Sequence, residues 1–394
     1  MRLLFICNEY PPTVHGGIGT FVFTLAHQLK LNGHEVHVIG FDQTVKHSKQ
    51  GDEYGVNVVR FRSPFRGHWY LNWRKYDVAV QILERIYLAR QVKSYCTEHN
   101  IDMVESYDWS GPLWFHPGRP LMVRMHGAHS ANALYERKPS PRFLTYVERR
   151  NLLLADLLVG VSQHISKLTI KAAGLKDRHY QVIYNGVDTS IFRPLSDVMR
   201  SQAEVLFAGT VARRKGIYEL FAAIPLVLDA VPSAHFTILG RLPVDHENRR
   251  ALVDKLLEKV PFAKRQAVAF TDVRPYREMP KWYSRATCAV FPSLAEAYGL
   301  TCTEAMACGV PVVMTSRASG PEIVEDGVSG ILNEPTDRQG LAEAIVALLE
   351  DASLRKSISA NAIERVKQRF DIRKTFRENI LLYERLISWK PNAI

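Results

Sequence analysis

The sequence predicts an α/β protein of two doubly wound domains, and three observations lead there. Short β-branched apolar runs alternate with longer segments whose apolar residues recur at helical spacing. The alternation is interrupted at VIYNGVDTSIFRPLSDV (182–198), where Asn-Gly, a proline and the lack of any long period read as turn and linker. The chain has 394 residues, more than one hydrophobic core usually serves.

In the first half the expected strands are LLFIC (3–7), EVHVIG (35–40), VNVVRF (56–61), DMVES (102–106), LMVRM (121–125) and DLLVGV (156–161). Between the first two, Phe21, Leu25, Leu29 and Leu31 keep near-helical spacing, and Gly33 stands where a helix C′ residue would. In the second half the strands are EVLFAG (204–209), HFTILG (235–240), AVAF (267–270), CAVF (288–291) and PVVM (311–314), with GIYELFAAIPLVLDAV as one clear helix. Strand–helix–strand repeats imply parallel sheets covered on both faces. The expected domains are 1–197 and 198–374. The amphipathic end of the chain, about 375–394, is expected to pack back on the first. Two such domains put a cleft between them, and ligands bind beyond the carboxyl ends of parallel strands.

Apolar residues at 46% and charged residues at 23% suit an ordinary globular enzyme. MRLLFICNEYPP lacks a secretory h-region, and no apolar run is long enough to span a membrane. Five cysteines without CxxC read as buried thiols of a cytoplasmic protein. The net charge is +11, and residues 1–195 hold 24 Lys+Arg against 16 Asp+Glu, or +8. Such a half either keeps the protein in solution or meets an anionic partner, with phosphorylated substrate, acidic glycan, anionic lipid and nucleic acid as the classes. No nucleic-acid module is recognisable, so nucleic acid is not expected as a partner.

The segments that follow the strands carry the chemistry. NEYPPTVHGGIGT places Gly16 and Gly17 before a helix, either as a flexible turn or as an anion contact, and it does not fit G-x-G-x-x-G. His126 ends a strand in MHGAHS, without a carboxylate at zinc-ligand spacing. GTVARRKG (209–216) puts Arg213, Arg214 and Lys215 in a strand-to-helix loop, suited to a diphosphate or simply solvated. In SLAEAYGLTCTEAMACG (293–309), Glu296 precedes the Tyr298–Gly299 turn and Glu304 lies beyond it. Thr301-x-x-Glu304 has the capping-box pattern, so Glu304 either closes the helix start or accepts hydrogen bonds from ribose hydroxyls.

Taken together, these segments resemble glycosyltransferase family 4, retaining enzymes of the GT-B fold. NEYPPTVHGGIGT…GHEVHVI, ADLLVGVS, NGVDTSIFRP, GTVARRKG, FPSLAEAYGLTCTEAMACGVPVV and SGPEIVEDGVSGIL follow the family's order and spacing from residue 3 to 332. The resemblance implies a GT-B protein of two Rossmann-like domains facing each other across a cleft. It implies transfer of a sugar, of the hexosyl type, from a nucleoside-diphosphate donor (UDP-, GDP- or ADP-linked) to a hydroxyl acceptor. No cofactor and no metal are expected.

By the same resemblance His126, Lys215 and Glu296 are the catalytic positions. Gly16, Gly17, Arg214, Lys215, Tyr298, Gly299, Leu300 and Glu304 are the donor-binding ones. Thr210 stands where many members carry an arginine, so the second cation is assigned to Arg214, directly before Lys215. ESYDWSG (105–111) resembles the Asp-Trp loop of glycogen and starch synthases, although their lysine before the first glycines is replaced by Val14 and His15. Asp108, Trp69 and Trp73 are therefore the candidate acceptor residues. The two tryptophans lie in RFRSPFRGHWYLNWRKY (60–76), whose five cations and six aromatics suit a glycan, an anionic membrane face or a packed loop. Glucan elongation and a non-catalytic nucleotide-sugar binder are the alternatives.

Overall fold

The computed structural model describes residues 1–12, 16–65, 77–136, 138–243 and 245–388. The chain forms two compact units: Met1–Tyr184 with the chain from Thr375 onward, and Asn185–Lys374. Among the described residues fourteen strands form two sheets.

In the first unit the strands are β1 (Arg2–Ile6), β2 (Glu35–Phe41), β3 (Lys49–Glu53), β4 (Val56–Phe61), β5 (Met103–Tyr107), β6 (Leu121–Met125), β7 (Leu157–Gly160) and β8 (Gln181–Val182). Their order is β3-β4-β2-β1-β5-β6-β7-β8, and every pairing is parallel except β3 with β4. Register runs from Leu3 opposite Val36 on one side of β1 and opposite Met103 on the other. Leu3 to Ile6 are all buried, because helices cover both faces and leave no polar side to alternate toward. One face packs Leu4, Ile6, Val104 and Val123 on the helix Asp77–Glu98 through Leu88 and Val92. The other packs Leu3, Phe5 and Val38 with Phe21, Leu25 and Leu29 of the helix Gly17–Leu31, and with Leu382, Tyr383 and Leu386 of Ile372–Ser388. Gly33 (φ 79°) ends the helix Gly17–Leu31 as a Schellman turn, with Gly33 N–H on the Lys30 carbonyl and His34 N–H on that of Leu29, both 3.1 Å.

The second unit holds β9 (Glu204–Ala208), β10 (His235–Leu239), β11 (Val268–Thr271), β12 (Cys288–Phe291), β13 (Val312–Thr315) and β14 (Ile331–Asn333). The order β11-β10-β9-β12-β13-β14 is all parallel and reverses between β9 and β12. That reversal is the topological switch point of a doubly wound sheet, where ligands seat beyond the strand ends. The loops after β9 and β12 flank it. They hold Lys215 and Glu296.

The segment expected as a linker is packed. Val187 and Phe192 are fully buried, Val187 N–H donates to the Phe370 carbonyl at 2.8 Å, and Phe192 stacks edge-on against Tyr276. The five cysteines are unpaired and buried, and burial pushes the thiols of Cys7, Cys96 and Cys288 up to about 12. Among the described residues no helix is long and apolar enough to cross a membrane. Arg60, the first cation of the basic aromatic stretch, is buried. It pairs with Glu53 and donates to the carbonyls of Tyr10 and Pro11, so it offers no charge to an outer surface.

Candidate functional site

In the second unit the loop after β9 ends in a 3-10 turn at Arg213–Lys215, and Gly216 (φ 71°) leads into the helix Ile217–Ala230. A Cβ on Gly216 would lie 1.8 Å from the Pro292 carbonyl oxygen, so glycine is what lets this loop touch the one after β12. The backbone joins them as well: the Arg214 carbonyl accepts from the N–H groups of Leu294 (2.9 Å) and Ala295 (3.1 Å). The side chains follow. Lys215 Nζ donates to Glu296 Oε2 at 2.5 Å, and Ser293 Oγ donates to the same oxygen at 3.1 Å. Burial alone would raise the Glu296 pKa. The Lys215 ammonium, the Arg214 charge and the Ser293 hydroxyl outweigh it and hold the carboxyl below its ordinary value. Two cations thus face one carboxylate, and the exposed Arg214 leaves the cluster net positive.

The helix Leu300–Ala307 begins beside this cluster. Its N-cap is Gly299 (φ 102°), whose Cβ position lies 3.6 Å from Glu296 Cγ, and no side chain caps it. The capping-box alternative for Glu304 is therefore overturned: Thr301 lies inside the helix and Glu304 is past its first turn. Glu304 is instead buried and accepts from the Tyr283 hydroxyl at 3.2 Å. Burial raises its pKa to about 8 against the lowering by the Tyr283 and Tyr276 hydroxyls. The Tyr298 side chain turns into the core against Phe370, so only its backbone stays with the turn, where Ser319 Oγ donates to the Tyr298 carbonyl at 2.8 Å and to that of Glu296 at 3.3 Å. Leu300 is half-buried at the first helical position. At the far end of the helix Gly309 (φ 70°) forms the C′ stop.

In the first unit His126 follows β6. Its ring is edge-on to Phe21, and burial, then the Arg124 charge, lower its pKa to about 3, so the imidazole is neutral at physiological pH. Asp108 accepts from the N–H groups of His126 (2.9 Å) and Gly127 (3.1 Å) and is 0% exposed, which leaves none of its surface to meet an acceptor. Trp109 beside it is exposed. Gly16 is the uncapped N-cap of Gly17–Leu31, and its N–H donates to Glu9 Oε2 at 3.0 Å, so a carboxylate of the chain itself sits at this helix start. Trp69 and Trp73 lie outside the described residues. Among those described, no three His, Cys, Asp or Glu side chains are grouped to hold a metal ion.

The structure thus brings together Arg214, Lys215, Glu296 and the Gly299 turn, with Glu304 on the helix that the turn begins. Ser293, Ser319 and Tyr283 join the site without a motif to mark them in the sequence. Ser293 stands three residues before Glu296, which was its one local signal. The other two are distant in the chain and only the fold reveals them.

Residues 15–191 match Glycosyltransferase Family 4, and residues 202–351 match Glycosyl transferases group 1. An uncharacterized glycosyltransferase of Methanocaldococcus jannaschii is 26% identical over 98% of this chain and 98% of its own. Glycogen synthase of Mycobacterium tuberculosis is also 26% identical, over 94% of this chain and 91% of its own. Among solved structures, sucrose-phosphate synthase from Thermosynechococcus elongatus superposes with TM-score 0.82 at 20% identity, covering 98% of this chain and 99% of its own. Anabaena HepE in complex with UDP and glucose gives 0.75 at 21%, with the same coverage. The two family matches span both units, the full-length relatives are glycosyltransferases, and the chain belongs to glycosyltransferase family 4, with the GT-B fold of two Rossmann-like units.

Proposed function

We propose that this glycosyltransferase is a retaining enzyme that takes its sugar from a nucleoside-diphosphate donor, with UDP as the nucleotide, and delivers it to an acceptor hydroxyl. The observation that carries the reading is the Lys215–Glu296 pair beside the uncapped Gly299 helix start, with Arg214 adding a second cation. A departing diphosphate needs positive charge preset where its negative charge develops. Lys215 and Arg214 supply it together with the N–H groups of the Gly299–Leu300 turn, where no side chain makes a cap hydrogen bond. Glu296 remains ionised and holds the lysine in place while the sugar carbon becomes oxocarbenium-like. Glu304 accepts from ribose hydroxyls, and His126, being neutral, exchanges hydrogen bonds with a sugar hydroxyl rather than charge. The leaving phosphate takes the acceptor's proton on the same face, which gives retention without a dedicated base. UDP is favoured because neighbours of this fold were solved with UDP, UDP-glucose and UDP-2-fluoro glucose.

Glucan elongation is the second reading, favoured by the glycogen synthase relative. Both are tested by thermal shift across UDP, GDP and ADP and their sugars, followed by transfer to glycogen and to small hydroxyl acceptors. A selective nucleotide at about 100 times its Kd stabilises the fold by about 2.7 kcal/mol. Stabilisation by UDP alone, with retained anomeric configuration in the product, supports the proposal. A response to none of the three, or an inverted product, sinks it.

A further inference from the structure

Around His126 the first unit spends two buried carboxylates on backbone. Glu148, on the helix Arg142–Leu154, is 0% exposed. Its Oε1 accepts from Ser110 N–H at 3.0 Å and from His129 N–H at 2.7 Å, and its Oε2 accepts from Ser130 N–H at 2.9 Å. One side chain therefore ties two separate loops, the one after β5 and the one after β6. It also fills the start of the helix His129–Tyr135, whose own N-cap, Ala128, offers no side-chain acceptor. Asp108 ties the same loops from the other direction through His126 and Gly127. Arg85 holds the carbonyls of Ser110 (2.6 Å) and Gly111 (2.9 Å).

The loop so gripped is held in an uncommon conformation. Ser110 has φ 57°, a left-handed value that non-glycine residues rarely take, and Gly111 (φ 48°) approaches the Val147 carbonyl so closely that a Cβ would lie 2.4 Å from its oxygen. What emerges is Trp109, 43% exposed, edge-on to the His129 ring at 5.6 Å. A strained loop fixed by buried charge, with an indole and the His129 imidazole beside it and the backbone of His126 tied to it, is more than a fold needs to join a strand to a helix.

We propose that Glu148 is a positioning residue for the transfer: it sets the two loops against each other so that Trp109, His126 and His129 form one rigid wall for the sugars. The proposal rests on the glycosyltransferase reading and on no contact of Glu148 itself with substrate. The charged groups around the clamp are Asp108, Arg85, Arg124, His126 and His129. Asp108 is raised to about 7, first by burial, and the Glu148 charge adds to that rise. Ionised Asp108 grips two N–H groups, whereas its protonated form surrenders one acceptor, so turnover should climb as the pH passes about 7.

The test is steady-state kinetics of Glu148→Gln, Glu148→Asp and His126→Ala with UDP-sugar and acceptor, each checked for folding by circular dichroism. Glu148→Gln presents an amide NH2 to backbone donors and loosens the loops. Displacing a site by about 1 Å costs about 10²-fold, so kcat should fall by about that factor while the donor KM holds within about twofold. Its pH limb should move to lower pH, since the charge that raised Asp108 is gone. Glu148→Asp keeps the charge and shortens the reach, so kcat falls with the limb unmoved; it carries the test if the glutamine variant does not fold. Near-native kcat in a folded Glu148→Gln with an unmoved limb overturns the proposal, whatever His126→Ala does. A depressed Glu148→Gln beside an unaffected His126→Ala supports the clamp and removes only the role given to His126.

Discussion

Lys215 and Glu296 constrain each other, and their separation by mutation tells binding charge from structural charge. Lys215→Ala removes a donor from the leaving group, and loss of one such donor costs roughly 3–4 kcal/mol of transition-state stabilisation, or about 10²- to 10³-fold in kcat. It also strands the half-buried Glu296 carboxylate, at roughly 1–3 kcal/mol of stability. Adding Glu296→Gln should restore most of the melting temperature and none of the turnover; recovery of both would remove Lys215 from the chemistry. Glu304 supplies a pH test. Its folded pKa of about 8 lies above the ordinary 4.5, so the folded chain keeps a proton that the unfolded chain sheds, and stability from this group falls as pH rises from about 4.5 to about 8. A ribose that donates to the carboxylate has the opposite preference: nucleotide affinity should rise by up to roughly tenfold per pH unit until about pH 8. Calorimetric titrations from pH 6 to 9 should show that slope in the native protein and none in Glu304→Gln. The spacing of Lys215, Glu296 and Glu304 was legible because loop cations, turn glycines and acids are local signals. The partner that sets the Glu304 environment, Tyr283, was not, since it is 21 residues away and nothing in KWYSR announces it.

Elements were readable in proportion to their burial. The near-continuous apolar runs of β1, β2, β12 and β13 declare themselves because both faces are covered. β3, KQGDE, is almost wholly exposed and has no apolar period. It exists by backbone pairing with β4 through the two-residue turn Tyr54–Gly55, where both φ values are positive (57° and 79°) and Asp52 accepts from Gly55 N–H at 2.8 Å. A tyrosine in the first turn position hides the signal that Asn-Gly would give. β8, of two residues, and β14, of three, are too short for any periodicity to show. The element whose failure would reach the site is the Gly216 turn. Gly216→Ala must move the Pro292 carbonyl or the loop that carries Lys215, at about 1–3 kcal/mol. Urea unfolding should show that loss, and kcat should drop more than Lys215-independent nucleotide affinity does. An alanine variant of native stability and kcat would mean that the two loops are not held by this contact.

The whole chain is closed by a return: after the second unit it re-enters the first at Thr375, inside the helix Ile372–Ser388. The amphipathic pattern of FRENILLYERLISW shows an apolar face but not the polar group beneath it. Arg124, 0% exposed on β6, donates to Glu105 Oε1 and to Asn379 Oδ1, both at 2.5 Å, and the Tyr383 hydroxyl donates to Glu105 Oε2. The sheet supplies the ion pair and the last helix completes it. Tyr383→Phe keeps the ring and withdraws one hydrogen bond from a buried carboxylate, at roughly 1.5–3 kcal/mol. At about 2–4 °C per kcal/mol for a domain of this size, the melting temperature of the first unit should drop by several degrees. The net worth of the network is a separate question, because buried ion pairs repay their desolvation only when every group is satisfied. Arg124 Nη1 has no hydrogen-bond partner among the described residues, and its guanidinium lies over the Phe21 ring at 4.6 Å. Replacing the group together (Arg124→Met, Glu105→Leu, Asn379→Leu, Tyr383→Phe) should therefore return stability to the native level or above, although Tyr383→Phe alone lowers it. Calorimetry that finds the fourfold variant less stable than the single one would show that the charges themselves, and not the packing of the last helix, hold the end of the chain in place.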